Sequence, residues 1–384
     1  MLFPILFSIH CFSALIAALP SQSENGTSQP HGCREVSIPI TVEVPRFLIS
    51  TEIRDDWDVA ALVFNLTRRD SGQGFPLPIT GNTAAPVKST YDMGATFCGN
   101  GSTTLILTHG ILESKRYWQP DFPDSDQYNF IEAAVAAGYS VLSYDRIGVG
   151  SSSRVNSITD AQFQVQVAVL NSLVDHVRDA NTARKVALVG HSYGAYISIA
   201  AAAAAASNPS RNVSMGGVDA VILTGFAGGF SNFGPFLAGA GLRVARDRQP
   251  ERWGALDPGY LTAVDAYADA YIYYHAGNFE RRVAEWTHAR GSEPFAVGEL
   301  PSLLATNITY DTVTAPVQIV QGKYDVSACG GNCEGQLNKI RRNLSGASVV
   351  ETVEDLPAGH NLNLHLVAPR AFELMFGFLK RQGL

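Results

Sequence analysis

Ser192 stands in a sequence context that is typical of an activated nucleophile. It is the central residue of Gly190-His191-Ser192-Tyr193-Gly194, which follows an apolar run at residues 185–189 and precedes small residues at 195–206. This pattern predicts a strand, a tight turn and a helix, with the serine in a strained backbone conformation that glycines on both sides permit. The turn would expose the serine hydroxyl at the N-terminus of a helix, whose dipole favours negative charge.

A serine hydroxyl is a poor nucleophile at neutral pH, so a base and an acid that orients the base must accompany it. Asp325 closes the strand predicted for residues 317–322, and His360 follows the strand predicted for residues 348–353. Both therefore lie just past the carboxyl end of a strand, where catalytic groups gather in open α/β sheets. We predict Ser192 as nucleophile, His360 as base and Asp325 as acid. The alternatives are His365 for the base and Asp311, Glu354 or Asp355 for the acid.

The order serine, acid, histidine along the chain resembles the α/β-hydrolase superfamily, and the resemblance extends from about Val36 to Lys380. The segment Tyr144-Asp145-Arg146-Ile147-Gly148-Val149-Gly150-Ser151-Ser152 is similar to the Asp-x-x-Gly-x-Gly-x-Ser motif of members that carry a lid. The resemblance implies an α/β-hydrolase fold, with a mostly parallel eight-stranded sheet flanked by helices and a helical lid inserted after the sixth strand.

An oxyanion hole is the third component that the resemblance implies. The backbone N–H of Ile111, after the strand predicted for residues 104–108, and that of Tyr193 would supply its two donors. In the same loops we interpret His109 as loop architecture, His191 as packing beside the nucleophile and Asp145 as structural.

Residues 226–311, which we call the inserted segment, are too long for a strand connection and too aromatic for a linker. We predict that they form the helical lid, between a first core part at 33–225 and a second core part at 312–384. One or two of its aromatic residues are expected to line the substrate pocket, from the set Trp253, Tyr260, Tyr267, Tyr271, Tyr273, Tyr274 and Trp286. In the core, the capping box Thr159-Asp160-Ala161-Gln162 predicts the start of an amphipathic helix.

The N-terminus and the cysteines indicate a secretory route. The apolar residues 2–19 resemble a signal peptide spanning 1–20, with a retained membrane anchor as the alternative. The mature chain keeps four cysteines, for which we predict disulfides Cys33–Cys98 and Cys329–Cys333, with a Cys-x-x-x-Cys metal site as the alternative for the second pair. Six Asn-x-Ser/Thr sequons fit glycosylation in a eukaryotic, and as one candidate a fungal, secretory pathway. They lie at Asn25, Asn65, Asn100, Asn212, Asn307 and Asn343.

Serine as the nucleophile favours acyl transfer, whereas relatives that alkylate a carboxylate use aspartate. We therefore predict a secreted serine esterase for a medium-sized apolar ester or lactone. The alternatives are a biosynthetic acyl-transfer or cyclisation enzyme and a non-catalytic binding protein. No cofactor or metal is expected. The net charge of −7, without a basic cluster, argues against nucleic acid or an anionic membrane as partner, and no stable membrane span is expected after signal cleavage.

Overall fold

The fold is organised around an eight-stranded sheet. The computed structural model describes residues 32–67, 77–179, 184–206, 217–230 and 232–384. In this part of the chain the strands are β1 Cys33–Val44, β2 Phe47–Ile49, β3 Ile79–Asn82, β4 Val87–Cys98, β5 Thr103–Thr108, β6 Ser140–Tyr144, β7 Lys185–His191, β8 Ala220–Thr224, β9 Arg243–Val244, β10 Tyr260–Thr262, β11 Phe295–Ala296, β12 Val317–Gly322 and β13 Val350–Leu356. The predicted signal peptide, Asn25 and Asn212 lie outside the described residues.

The large sheet has the order β1-β4-β6-β5-β7-β8-β12-β13. Only β4 runs antiparallel to its neighbours, so the predicted mostly parallel eight-stranded sheet is confirmed. Its central strands β5, β6, β8 and β12 are buried along their whole length. Strands can be buried along their whole length in such a sheet because helices cover both of its faces.

The α-helices of the described residues are α1 Asp56–Thr67, α2 Phe130–Ala136, α3 Phe163–Asp179, α4 Tyr193–Ala206, α5 Phe233–Ala240, α6 Ala245–Arg248, α7 Pro250–Trp253, α8 Ala266–Tyr273, α9 Arg281–Trp286, α10 Glu299–Ala305, α11 Val326–Cys329, α12 Leu337–Asn343 and α13 Ala368–Arg381. Short 3₁₀ turns occur at Lys115–Trp118, Asp126–Tyr128, Tyr310–Thr312 and Leu362–Leu364, and a π turn at Thr287–Gly291. None of the described helices has the length and hydropathy needed to cross a membrane.

The start of α3 differs from the prediction. The helix begins at Phe163 rather than at the capping box from Thr159, and residues 157–160 form turns. The Gln162 side chain bonds the backbone N–H and C=O of Phe47 and so is not available to cap the helix. Instead, the backbone N–H of Phe163 donates to Oγ of Ser302 in α10, at 2.8 Å. A tertiary contact therefore replaces the local cap that the sequence suggests.

The inserted segment is more mixed than predicted. Its described residues hold helices α5 to α10, but they also form a three-stranded antiparallel sheet in the order β11-β10-β9. The strands are two or three residues long, so the alternation of side chains that marks a strand in sequence has no room to appear.

Both predicted disulfides are present. Cys33 and Cys98 are direct partners in the register of β1 and β4, and their bond joins the two strands at the edge of the sheet. Cys329 and Cys333 close a small loop immediately after α11. The sulfur atoms of the second pair are therefore engaged in a bond, which replaces the alternative of a metal site there.

Candidate active site

The turn between β7 and α4 places Ser192 at the carboxyl edge of the sheet. Its φ is 53°, in the left-handed region that side chains other than glycine rarely adopt. A Cβ on Gly194 would lie 2.1 Å from the carbonyl oxygen of Thr108 in β5, so only glycine permits this approach of α4 to the sheet. The strained serine and the glycine requirement are the features that the sequence pattern predicts.

Three predicted residues meet beyond the ends of β7, β12 and β13. Oγ of Ser192 lies 2.8 Å from Nε2 of His360, and Nδ1 of His360 lies 2.7 Å from Oδ2 of Asp325. The carboxylate and the imidazole are both buried. Because the carboxylate can only accept, Nδ1 of His360 donates to it, and this leaves Nε2 free to accept the serine proton.

The Asp325 carboxylate is held from two further sides. Its Oδ1 accepts the backbone N–H of Ala328 at 2.8 Å, and its Oδ2 accepts a second hydrogen bond from Nε2 of Gln321. Oε1 of Gln321 in turn accepts the N–H of Phe226, the first residue of the inserted segment. Sequence reasoning missed Gln321, although a glutamine in a strand as fully buried as β12 is the kind of polar residue that needs partners.

The alternative residues lie elsewhere. His365 is fully buried, and its Nε2 accepts the backbone N–H groups of Gly359 and His275. Asp311 and Asp355 are exposed, and Glu354 accepts the N–H of Gly335. Asp145 accepts from the N–H of Lys115 and from the N–H and hydroxyl of Ser151, which agrees with its interpretation as a structural residue.

The loop after β5 passes close to Ser192. A Cβ on Gly110 would lie 2.9 Å from Cβ of Ser192, so the loop reaches the nucleophile only because residue 110 is glycine. The predicted oxyanion residues Ile111 and Tyr193 both line the cleft beside Ser192. The carbonyl of Ile111 accepts the hydroxyl of Tyr273 at 3.0 Å, which fixes the far side of this loop.

A buried polar layer lies behind the nucleophile. Nε2 of His191 lies 3.2 Å from Oδ1 of Asn361, its Nδ1 lies 2.9 Å from Oγ1 of Thr224, and its ring stacks on Tyr117. Burial lowers the pKa of His191 well below its usual range, so this imidazole is neutral. Its position matches the predicted packing role beside the nucleophile.

Glu113 is a second residue that sequence reasoning missed. Its Oε2 accepts the N–H of Gly110 at 2.7 Å, and its Oε1 lies 3.5 Å from Nε2 of His191. Burial raises the pKa of Glu113 to about 8, so the side chain is mainly the neutral acid at pH 7. An isolated glutamate in a loop sequence carries no signal of burial, which becomes visible only in the fold.

A cleft that is partly open to solvent extends from Ser192. Core residues Ile111, Tyr196 and Ser327 form part of its wall, and the inserted segment supplies Gly229, Phe230, Phe233, Phe236 and Leu303. The aromatic residues that the inserted segment contributes to this lining are therefore phenylalanines at its start, not the tyrosines and tryptophans named from the sequence. Tyr267 and Tyr271 are exposed, and Tyr273 contacts Ile111 and His360 without lining the cleft.

The described residues hold no group of histidine, cysteine, aspartate and glutamate side chains that could bind a metal ion. What the arrangement can do chemically is transfer a proton from a serine hydroxyl to a histidine while an adjacent cleft accepts an apolar molecule.

Comparisons with known proteins agree with this fold. Residues 105–373 match the profile described as Alpha/beta hydrolase family. No curated protein has a sequence that matches this one. Among solved structures, an esterase from Thermogutta terrifontis is similar with a TM-score of 0.53 at 14% identity, covering 77% of this chain and 95% of the esterase.

Two further structures show how widely the architecture is used. A monoacylglycerol lipase from Paleococcus ferrophilus has a TM-score of 0.53 at 16% identity, covering 76% of this chain and 99% of its own. A bromoperoxidase from Bacillus anthracis has a TM-score of 0.50 at 18% identity, and the match covers 76% of this chain and 96% of the bromoperoxidase. At such identities the likeness shows a shared fold, which hosts more than one chemistry.

Proposed function

Because the chain belongs to the alpha/beta hydrolase family, we propose that it is a serine hydrolase that cleaves a carboxylic ester or lactone through a covalent acyl-enzyme. The observation that carries the proposal is the continuous chain of hydrogen bonds from Oγ of Ser192 through His360 to Asp325. Polar residues at the edge of a sheet are common and need not be catalytic. A serine, an imidazole and a carboxylate that are hydrogen-bonded in this order have the geometry of an activated nucleophile.

The proposed reaction has two halves. Oγ of Ser192 attacks the substrate carbonyl while its proton passes to Nε2 of His360, and the N–H groups of Ile111 and Tyr193 bind the oxygen that becomes negative. Collapse of this intermediate breaks the ester C–O bond, and His360 returns the proton to the leaving alcohol. Water then attacks the acyl-enzyme with His360 again as base, which releases the acid and restores Ser192.

The inserted segment is proposed to act as a lid that selects the substrate. Its phenylalanines line the cleft that opens from Ser192, so an apolar group of the substrate would pack against Phe230, Phe233 and Phe236. Burial of such a group contributes roughly 25 cal/mol per Å² of apolar surface. This supports a medium-sized apolar substrate without charged groups near the ester.

Labelling with a fluorophosphonate tests the nucleophile. We expect the wild-type protein to be labelled and Ser192→Ala to remain unlabelled. Ser327→Ala is the matched control, because Ser327 also lines the cleft but its hydroxyl lies 3.3 Å from the carbonyl of Ile272. Equal labelling of wild type and Ser192→Ala would refute the assignment. A folded wild type that is not labelled would favour a binding protein over an enzyme.

Product analysis tests the type of acyl transfer. Esters of p-nitrophenol with increasing acyl length should be hydrolysed to free acid, with the best turnover at medium length. The alternative of a biosynthetic acyl-transfer or cyclisation enzyme is favoured by the apolar wall of the cleft, which offers few polar groups to hold water. Labelling of Ser192 without turnover of any simple ester would support that alternative.

We further propose that the protein enters a eukaryotic secretory pathway. The two disulfides support this, because such bonds persist in oxidising compartments. The four sequon asparagines within the described residues, Asn65, Asn100, Asn307 and Asn343, are all exposed. Secretion from a yeast host, N-terminal sequencing and a shift in mass on endoglycosidase treatment test the proposal. An intact N-terminus and no shift would count against it.

A further inference from the structure

Arg146 is a buried cation at the junction of the core and the inserted segment. Its Nη1 pairs with Oε2 of Glu299 in α10 and donates to Oε1 of Gln166 at 2.8 Å. The Arg146 and Glu299 side chains are both almost fully excluded from solvent. A buried ion pair is a costly way to join two elements, since apolar residues would do so at least as well. This raises the question of what else the guanidinium does.

The other end of the guanidinium contacts the loop beside the nucleophile. Nη2 of Arg146 donates to the carbonyl oxygen of Gly110 at 3.1 Å. Nδ1 of His109 lies 2.9 Å from the same oxygen and donates to it, while Nε2 of His109 accepts the backbone N–H of Arg146 at 3.0 Å. One donor to this carbonyl is therefore Arg146, and the other is His109, whose ring is held by the backbone N–H of Arg146.

This carbonyl belongs to the peptide unit whose N–H is that of Ile111. A peptide is planar and trans, so its C=O and N–H point in opposite directions, and fixing the oxygen also fixes the direction of the N–H. A cation at the oxygen withdraws electron density and makes the N–H a stronger donor, since hydrogen bonds in series polarise one another. The guanidinium also lies over the ring of Tyr193, with 4.7 Å from its carbon to the ring centre.

We propose that Arg146 is a positioning residue that orients and polarises the Gly110–Ile111 peptide for oxyanion binding, and that Glu299 makes this arrangement depend on the inserted segment. The inference rests on the proposed function, because it assigns the Ile111 N–H to the oxyanion. Arg146 does not touch the substrate itself. Its effect is expected in the transition state, where charge develops on the carbonyl oxygen, and not in the binding of the uncharged ester.

The test compares Arg146→Met with the double variant Arg146→Met/Glu299→Gln. The single change leaves Glu299 buried without its partner and destabilises the fold, whereas the double variant removes both charges together. We expect kcat of the folded double variant to fall on the order of 10-fold to 100-fold with KM within twofold, less than the 100-fold to 1000-fold typical when a donor is removed. Inhibition by an aryl trifluoromethyl ketone, which forms a tetrahedral oxyanion on Ser192, should weaken by a similar factor.

Arg178→Met is the control, because Arg178 forms an ion pair with Asp219 at 2.7 Å away from the cleft. A purely structural role for Arg146 would lower the melting temperature without this selective loss of kcat and ketone affinity. If both quantities stay within twofold of wild type in the folded double variant, the proposal is overturned.

An NMR measurement tests Arg146 separately from catalysis. With selective ¹⁵N-isoleucine labelling, the Ile111 amide can be assigned from its loss in Ile111→Val. We expect its proton signal to move upfield in the double variant, because the polarising cation is gone, and to be unmoved in Arg178→Met. An unmoved signal in the double variant would overturn the proposal. A wild type that fluorophosphonate does not label would instead refute the proposed hydrolase function, while the amide shift would still report on Arg146.

Discussion

Gln321 and Asp325 are joined by a hydrogen bond from the amide Nε2 to the carboxylate Oδ2, the same oxygen that faces His360. Oδ2 of Asp325 therefore accepts two hydrogen bonds, one from the amide of Gln321 and one from the imidazole of His360. Both residues belong to the carboxyl end of β12 and its following turn, and the amide oxygen of Gln321 binds Phe226 at the end of β8. The acid is thus fixed by two neighbouring strands of the sheet.

Removing the Gln321 amide should loosen the acid without removing it. We expect Gln321→Met to lower kcat about tenfold, because a hydrogen bond to a charged group contributes roughly 1.5–3 kcal/mol and part of it orients the carboxylate. Gln318→Met is the matched control: it lies in the same strand and is equally buried, but its amide faces the carbonyl of Leu374. If steady-state kinetics show equal losses in both variants, the effect is one of general stability and not of the acid.

Replacing the acid itself should have a far larger effect. In Asp325→Asn the amide cannot hold His360 in the tautomer that accepts the serine proton, so we expect kcat to fall on the order of 10⁴-fold with an unchanged fold. The measurement is kcat together with circular dichroism. Glu354→Gln, at the position of an alternative acid, should leave kcat unaltered. Retention of activity in Asp325→Asn would remove this residue from the proposed mechanism.

The three residues Ser192, Asp325 and His360 could be predicted because each has a recognisable local sequence context. Ser192 is marked by flanking glycines between a strand and a helix, and Asp325 and His360 each follow an apolar strand. Arg146 lies in the motif at residues 144–152, but nothing there indicates its partner, because Glu299 is 153 positions away and the two meet only when the inserted segment packs on the core. Their burial is a tertiary property, which neither residue type nor spacing encodes.

The lining of the cleft differs from the prediction for a related reason. The tyrosines and tryptophans of the inserted segment are conspicuous in sequence, but amphipathic rings are accommodated equally well at a surface or a helix interface. The phenylalanines that reach the cleft lie within or next to α5, the first helix of the segment, which follows β8 in the chain. A position in the chain soon after β8 indicates the cleft-lining residues better than aromatic content does.

Shortening the cleft wall should change substrate preference. Phe233 is half-buried in the cleft, where its ring stacks on that of Phe236 with 5.8 Å between centroids. We expect Phe233→Ala to lower kcat/KM for p-nitrophenyl octanoate about tenfold, because roughly 1.4 kcal/mol of apolar contact is lost, and to change the acetate value much less. Phe64→Ala is the control, since that ring is exposed on α1. An equal loss for both esters would show that Phe233 does not contact the acyl chain.

His365 should make the fold sensitive to acid. Burial lowers its pKa to about 4, and its Nε2 accepts two backbone N–H groups that a protonated imidazole could not accept. In the unfolded chain a histidine titrates near pH 6.5, so between about pH 6.5 and 4 the unfolded state binds a proton that the folded state does not. The free energy of unfolding therefore falls as the pH drops, and His365 accounts for about 3 kcal/mol of the loss by pH 4.

Denaturant unfolding at a series of pH values from 7 to 4 measures this contribution. We expect His365→Gln to be less stable than wild type at pH 7 but to lose about 3 kcal/mol less on acidification, because the group that takes up the proton is absent. His109 and His191 remain in the variant and also have a lowered pKa through burial, so acid sensitivity should be reduced and not abolished. His176→Gln, on the exposed side of α3, should preserve the wild-type pH dependence. Parallel curves for His365→Gln and wild type would mean that His365 takes up its proton equally in the folded and unfolded states, contrary to its burial.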